Sequence, residues 1–139
     1  MSEQVSERHG VRVLECAPDG ATVRDDRDAA DLVALASSHK AKLIALPVDR
    51  LPEEFFTLRT RIAGEIVGKF ATYRMPVAFV GDITAHLAAS SSLRAFVHEA
   101  NRGREIWFVT DHTELDERLR AKRQTESGTQ APDGMPAAM

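Results

Sequence analysis

Three side chains of types that bind ligands or move protons are predicted to meet at one edge of this protein: Arg59, Asp82 and His86. Arg59 falls near the start of a predicted long helix. Asp82 follows a predicted buried strand, and His86 lies one helical turn further on. Helix starts and the carboxyl ends of parallel strands share the edge at which α/β folds bind ligands. Because a guanidinium suits carboxylate and phosphate groups, the pattern indicates a small-anion or polar-ligand site.

An internal ion pair is the alternative explanation for Arg59, and it is the preferred one. Arg59 lies on the apolar stripe of the predicted helix, where an unpaired guanidinium would cost several kcal/mol. It is therefore expected to pair with a carboxylate, Asp82 being the best candidate and Asp49 the second choice. Such structural pairs also place charges in clefts, so position alone does not separate the two explanations.

No other residue pattern indicates catalysis, a cofactor or a metal. The histidines are scattered and form neither an H-x-x-H nor an H-E-x-x-H pattern. Ser90 to Ser92 lack the G-x-S-x-G turn of a serine nucleophile and are better explained as helix caps. Glu65 and Lys69 have the spacing of a surface ion pair on a helix. We therefore assign no catalytic residue, no metal ligand and no cofactor.

Alternating apolar patterns predict the elements that position these residues. A hairpin comes first, followed by helices that alternate with short apolar strands, so the order is β-β-α-β-α-β-α-β-α. This order is typical of a single-layer α/β fold with a mostly parallel sheet and one N-terminal hairpin. The predicted strands are Val11–Ala17 and Ala21–Arg24, joined by Pro18-Asp19-Gly20, then 42–48, 76–81 and 105–109; the longest predicted helix is Leu51–Tyr73.

The chain is predicted to hold one domain between two disordered ends. Residues 1–9 are polar, and residues 123–139 are rich in Gly, Pro, Ser, Thr and Gln, which cannot bury enough apolar area to fold. The domain is therefore expected to span residues 10–122. With 139 residues, it is long enough to bury a core without disulfides.

Composition excludes several classes of partner. Hydrophobic residues make up 43% and charged residues 28% of the chain, which is ordinary for a soluble protein. A net charge of -3 gives no indication of a basic surface that would bind nucleic acid or an anionic membrane. No apolar run is long enough to span a bilayer. A single cysteine, Cys16, is compatible with a reducing compartment. These features predict a cytoplasmic protein.

Small residues on the outer face of the predicted long helix indicate a contact surface. Gly64 and Gly68 each lower the stability of a helix by roughly 1 kcal/mol relative to alanine, so we expect them to serve packing or function. Thr57 and Thr60 are expected to extend the same surface. Because small side chains let another backbone approach closely, we predict that the chain forms a homodimer through this face.

The sequence resembles a bacterial family known as domain of unknown function 4180. The residues that carry the resemblance are GVRVLE at 10–15, EFFTLRTRIAGEIVGKF at 54–70 and VGDITAHLAASSSLRAFVHEANRGREIWFV at 80–109. The resemblance covers roughly residues 10–119 and implies a fold, since the family brings no assigned activity with it.

The element order is also similar to the STAS fold of anti-sigma-factor antagonists. Members that act as switches carry a phospho-acceptor serine in the loop before their second helix, whereas the loop here, residues 48–54, contains no hydroxyl group. Phosphate beside Glu53 and Glu54 would also meet like charge, which argues against a phosphorylation switch. Two functions stay open: a non-catalytic protein-interaction or regulatory module with an unknown protein partner, and a small-anion binder or enzyme that uses Arg59, Asp82 and His86.

Overall fold

A five-stranded sheet organises the protein, as the computed structural model shows for residues 3–130, with side chains described through residue 121. The strands lie in the order β1-β2-β3-β4-β5; β1 pairs antiparallel with β2, and all other pairs are parallel. The strands are β1 (Glu3–Arg8), β2 (Val11–Cys16), β3 (Leu43–Pro47), β4 (Val77–Val80) and β5 (Ile106–Val109). The predicted α/β class, with a parallel sheet and an N-terminal hairpin, is confirmed.

Five helices cover the two faces of the sheet. They are α1 (Asp26–Ser38), α2 (Ile62–Thr72), α3 (Thr84–Ala89), α4 (Ser91–Arg102) and α5 (His112–Gln130). The larger core lies on the face where α1, α2 and α4 pack, and it includes Phe55, Phe70, Phe79 and Phe108. The smaller core lies on the other face, where Leu115 and Leu119 of α5 cover Ala78 and Trp107. Among the residues described, no helix is both long and apolar enough to cross a membrane.

The hairpin uses different strands from those predicted. Its turn is His9-Gly10, and both residues have positive φ (52° and 81°), as a two-residue type I′ turn requires. Residues 3–8, predicted to be disordered, form β1, whereas the predicted strand Ala21–Arg24 is wrong, because these residues form no strand. Polar contacts account for the order of β1, because Ser6 and Arg8 both bind the carboxylate of Glu15.

The predicted helix Leu51–Tyr73 is wrong in its first half. Residues 48–60 form three successive 3-10 turns, and Arg61 adopts a left-handed conformation (φ 68°) before α2 begins at Ile62. The hydroxyl of Thr60 lies 2.7 Å from the carbonyl oxygens of both Glu54 and Thr57 and accepts from the N–H of Ile62. Such local side-chain bonds compete with helix formation, and here they end the turns and start a new helix.

The C-terminal boundary also differs from the prediction. Helix α5 continues to Gln130, past the predicted end of the domain at residue 122. Asp111 caps the start of this helix, since its carboxylate accepts from the N–H of Glu114 at 2.9 Å. Residues 131–139, the rest of the tail predicted to be disordered, lie outside the described residues.

Gly81 at the end of β4 allows the turns after β3 to pack against the loop after β4. Its φ is 150°, a backbone conformation that residues with a side chain rarely adopt, and a Cβ there would lie 2.3 Å from Cγ2 of Val48. Gly81→Ala should therefore lower the free energy of unfolding by about 2 to 3 kcal/mol in denaturant titration, a typical cost of overpacking.

Val48→Ala provides the matched control for this prediction. It removes the methyl group that the new Cβ would strike, so the double variant should recover part of the loss. Losses that simply add would show that Gly81 and Val48 do not contact each other in this way.

Candidate functional site

Two of the three predicted site residues line one open cavity of about 390 Å³ at the carboxyl edge of the sheet. One wall comes from the 3-10 turns that follow β3, and the other comes from α3 and the start of α4, which follow β4. Arg59 lies on the first wall and His86 on the second. The lining consists of Glu53, Phe56, Thr57, Leu58, Arg59, His86, Ala89, Ser90 and Ser92.

A stacked pair of rings joins the two walls. The imidazole of His86 lies 4.0 Å from the ring of Phe56, centroid to centroid, at an interplanar angle of 10°. Phe56 is buried and also contacts Phe55, whose ring lies in the aromatic core. Because Phe56 is held by the core, its ring orients the half-buried imidazole of His86.

The guanidinium of Arg59 is exposed, and no carboxylate of the described residues lies within 4.0 Å of it. The predicted ion pair with Asp82, or with Asp49, is therefore wrong. Its premise was an apolar helix stripe, but Arg59 lies in a 3-10 turn and its side chain reaches water. The consequence for binding is favourable, since the donors of Arg59 remain available to a ligand.

Asp82 does not line the cavity, although it lies at the same edge of the sheet. Its carboxylate accepts hydrogen bonds from the backbone N–H of Thr84, at 2.9 Å, and from the hydroxyl of Thr84. These bonds hold the pKa of the exposed Asp82 carboxyl below its ordinary value, chiefly through the hydroxyl. The structure thus gives Asp82 a local role at the start of α3, and it separates this residue from Arg59 and His86.

The start of α4 adds a positive electrostatic contribution to the cavity. The Ser90 side chain caps this helix by accepting from the N–H of Leu93 at 3.1 Å, as predicted. The first backbone N–H groups of a helix have no partner within it, and they carry the positive end of its dipole. Ser90 and Ser92 both line the cavity, so their hydroxyl groups and the start of α4 lie beside the same open space.

The buried arginine of this protein is Arg50, which no pattern in the sequence indicates. It is 4% exposed and is the only charged side chain in the buried class among the described residues. Its guanidinium donates to the carbonyl oxygens of Ala17 and Ala21 and pairs with the carboxylate of Glu3 at 3.0 Å. Arg50 therefore ties together the start of β1, the loop after β2 and the first turn after β3.

Cys16 lies beside this buried arginine and is not a reactive thiol. Burial raises the pKa of the Cys16 thiol to about 12, against a smaller opposite effect of the Arg50 charge. The thiolate, which is the reactive form, is therefore scarce near neutral pH. Cys16 is a free, buried thiol that forms part of the larger core.

The predicted interface residues divide between two places. Gly64 and Gly68 are exposed on α2, and a Cβ built on either would meet nothing within 4 Å. Thr57 and Thr60 precede this helix: Thr57 lines the cavity, and Thr60 holds the 3-10 turns. The two threonines therefore do not extend the helical glycine face, because the predicted helix that would have aligned them is absent there. No three His, Cys, Asp or Glu side chains are grouped as a metal site anywhere in the described residues.

Removal of the Arg50 guanidinium should be strongly destabilising. Arg50→Met leaves the Glu3 carboxylate and two carbonyl groups without their donor, and breaking such a buried pair costs about 3 to 5 kcal/mol. Chemical unfolding should show this loss. Arg59→Met is the matched control and should stay within about 0.5 kcal/mol of the wild type, because Arg59 is exposed. Equal losses would contradict the assignment of Arg50 as the structural arginine.

The chain belongs to the domain of unknown function family DUF4180, whose model matches residues 8–119. This match confirms the family resemblance seen in the sequence. Neither a search of curated proteins nor a search of solved structures finds a match. The matched region begins at the end of β1 and ends in α5, and it contains every residue of the cavity at the carboxyl edge.

Proposed function

We propose that this protein binds a small anionic molecule in the cavity between Arg59 and His86. The observation that carries the proposal is the convergence of two separate chain segments, the turns after β3 and the helices after β4, on one open space at the carboxyl edge. This edge is where parallel α/β sheets bind ligands. The proposed function is ligand binding. An enzyme that acts on the bound ligand would use the same cavity.

The chemistry of the lining favours a singly charged organic acid. The free guanidinium of Arg59 can hold a carboxylate by two parallel hydrogen bonds, and the N-terminus of α4 favours negative charge. Glu53 lines the same cavity and would repel a multiply charged anion, but its carboxylate can accept from a hydroxyl or ammonium group of the ligand. The stacked Phe56 and His86 rings offer an apolar surface to the remainder of the molecule.

Binding should depend on Arg59. Calorimetric titration with acetate, lactate and glycine would measure affinity, and Arg59→Met should weaken the best binder by about tenfold or more, since a hydrogen bond to a charged group contributes about 1.5 to 3 kcal/mol. Arg120→Met is the control, because Arg120 is also exposed and lies on α5, outside the cavity. Equal weakening by both substitutions, or no binding to the wild type at millimolar concentration, would overturn the proposal.

A second candidate is a non-catalytic protein-interaction or regulatory module with a STAS-like fold, in which the partner is a second copy of the chain. Gly64 and Gly68 favour this candidate, because they leave two exposed positions of α2, one helical turn apart, without a side chain although nothing within the described chain requires the space. The hairpin and the following helix–strand alternation support the STAS-like assignment. We place such a module in the bacterial cytoplasm, in keeping with the single free thiol of Cys16.

Two substitutions at Gly64 test the homodimer. In a monomer Gly64→Ala should stabilise the chain by about 0.5 to 1 kcal/mol, since glycine weakens a helix interior and the added Cβ has open space. Gly64→Leu should leave the monomer folded and abolish the dimer, which light scattering after size exclusion would detect. A wild type that is monomeric at about 50 μM, a concentration that populates micromolar dimers, would contradict the homodimer.

A further inference from the structure

A second cavity, of about 480 Å³, lies at the amino edge of the sheet, opposite the cavity at Arg59. It is formed where α1 leads into β3 and where α2 leads into β4. These two turns are adjacent because β3 and β4 are paired neighbours in the sheet. The lining consists of Ser37, Lys40, Ala41, Lys42, Arg74, Met75 and Pro76.

The two turns have the same backbone structure. Helix α1 ends with the N–H of Ala41 bonded to the carbonyl of Ala36 at 2.8 Å, and the N–H of Lys40 to that of Ser37 at 3.0 Å. At the end of α2, the N–H of Met75 is bonded to the carbonyl of Phe70 at 2.9 Å and the N–H of Arg74 to that of Ala71 at 3.0 Å. Both ends are Schellman motifs, so these terminal carbonyl groups are occupied within the fold.

A cation takes the position that glycine usually occupies in each motif. Lys40 and Arg74 have positive φ (60° and 54°), a left-handed conformation that costs energy for a residue with a Cβ. Glycine at either position would relieve this cost. Strained residues of this kind are found at sites that bind ligands, and here two of them line one cavity.

The charge of the cavity is uncompensated. Lys40, Lys42 and Arg74 line it without a carboxylate, and none of the three makes a side-chain hydrogen bond or ion pair within the described part of the chain. The chain as a whole is negative, with a net charge of -3, so the cluster is a local feature. The next turn along the edge carries Arg104 and Glu105, and these line a different cavity.

We propose that the amino-edge cavity binds a small molecule that bears a phosphate group. Three cations, two of which have their backbone held by helix ends, can surround a doubly charged phosphate, and the Ser37 hydroxyl can add a donor. Ala41, Met75 and Pro76 provide an apolar floor for the organic part of the ligand. The site is independent of the proposed function, because it shares no residue with the cavity at the carboxyl edge.

Glycine substitutions separate binding from folding at this site. Lys40→Gly and Arg74→Gly each remove one charge and also relieve the strain of a left-handed backbone. The melting temperature without ligand should therefore equal that of the wild type or exceed it by roughly 2 to 4 °C. Calorimetric titration at low salt, with inorganic pyrophosphate as the probe, should show at least a fivefold loss of affinity in each variant. Arg61→Gly is the matched control, since Arg61 is a left-handed cation that lines neither cavity.

Two further variants distinguish loss of binding from loss of folding and from binding at the other edge. Lys42→Gln removes a charge from the same lining at an exposed residue with ordinary backbone, and it should weaken binding even if a glycine variant fails to fold. Arg59→Met should retain pyrophosphate binding, which separates this site from the carboxyl edge. Absence of binding to the wild type at millimolar pyrophosphate, or equal losses in Lys40→Gly and Arg61→Gly, would overturn the proposal.

Discussion

The carboxyl edge of this fold depends on the hydrogen bonds and the ion pair that the buried guanidinium of Arg50 makes. A buried charge is tolerated only when its donors are satisfied, and Arg50 finds two carbonyl groups and one carboxylate in segments on either side of β2. Because Arg50 belongs to the first turn after β3, its position fixes where the following 3-10 turns begin. Those turns carry Phe55 into the aromatic core and leave Phe56 and Arg59 at the cavity.

The cavities at the two edges of the sheet differ in the charges that line them. The carboxyl edge combines one free arginine, a stacked histidine and a capped helix start with the acidic Glu53. The amino edge combines three cations with no acid in the same cavity, and two of them, Lys40 and Arg74, lie at helix ends that share the same hydrogen-bond pattern. Both arrangements rest on the parallel order of β2 to β5, since that order repeats the same connection and places equivalent turns side by side.

Much of the fold could be predicted from the sequence, because it rests on local signals. The buried strands appear as short apolar runs, and the caps of α1 and α4, Asp25 and Ser90, are typical N-cap residues that accept the expected bonds. Strand β1 escaped prediction because its sequence, EQVSER, is polar and is held by contacts with Glu15 that form only in the folded chain. Periodicity also failed for residues 51–61, where the Thr60 hydroxyl and the left-handed Arg61 outweigh a helical apolar pattern.

The positions of the candidate site residues could be predicted only where they depend on the order of strands and helices. Arg59 and His86 were expected at one edge, and the fold brings both to one cavity, whereas the pairing of Arg59 with Asp82 depended on a helix that is absent. Arg50 carries no signal in the sequence that distinguishes it from other loop arginines, because its burial is set by carbonyl groups distant along the chain. Two of the cations at the amino edge did have a signal in the sequence: Lys40 follows α1 and Arg74 follows α2 at the position where glycine would be usual.

Nuclear magnetic resonance can test directly whether residues 48–61 form turns that hold Phe56 against His86. We expect a nuclear Overhauser effect between the ring protons of Phe56 and His86, together with backbone couplings that report a positive φ at Arg61. Regular helical chemical shifts should begin only at Ile62. A continuous helix from Pro52 to Thr72 with no contact between the two rings would contradict this arrangement.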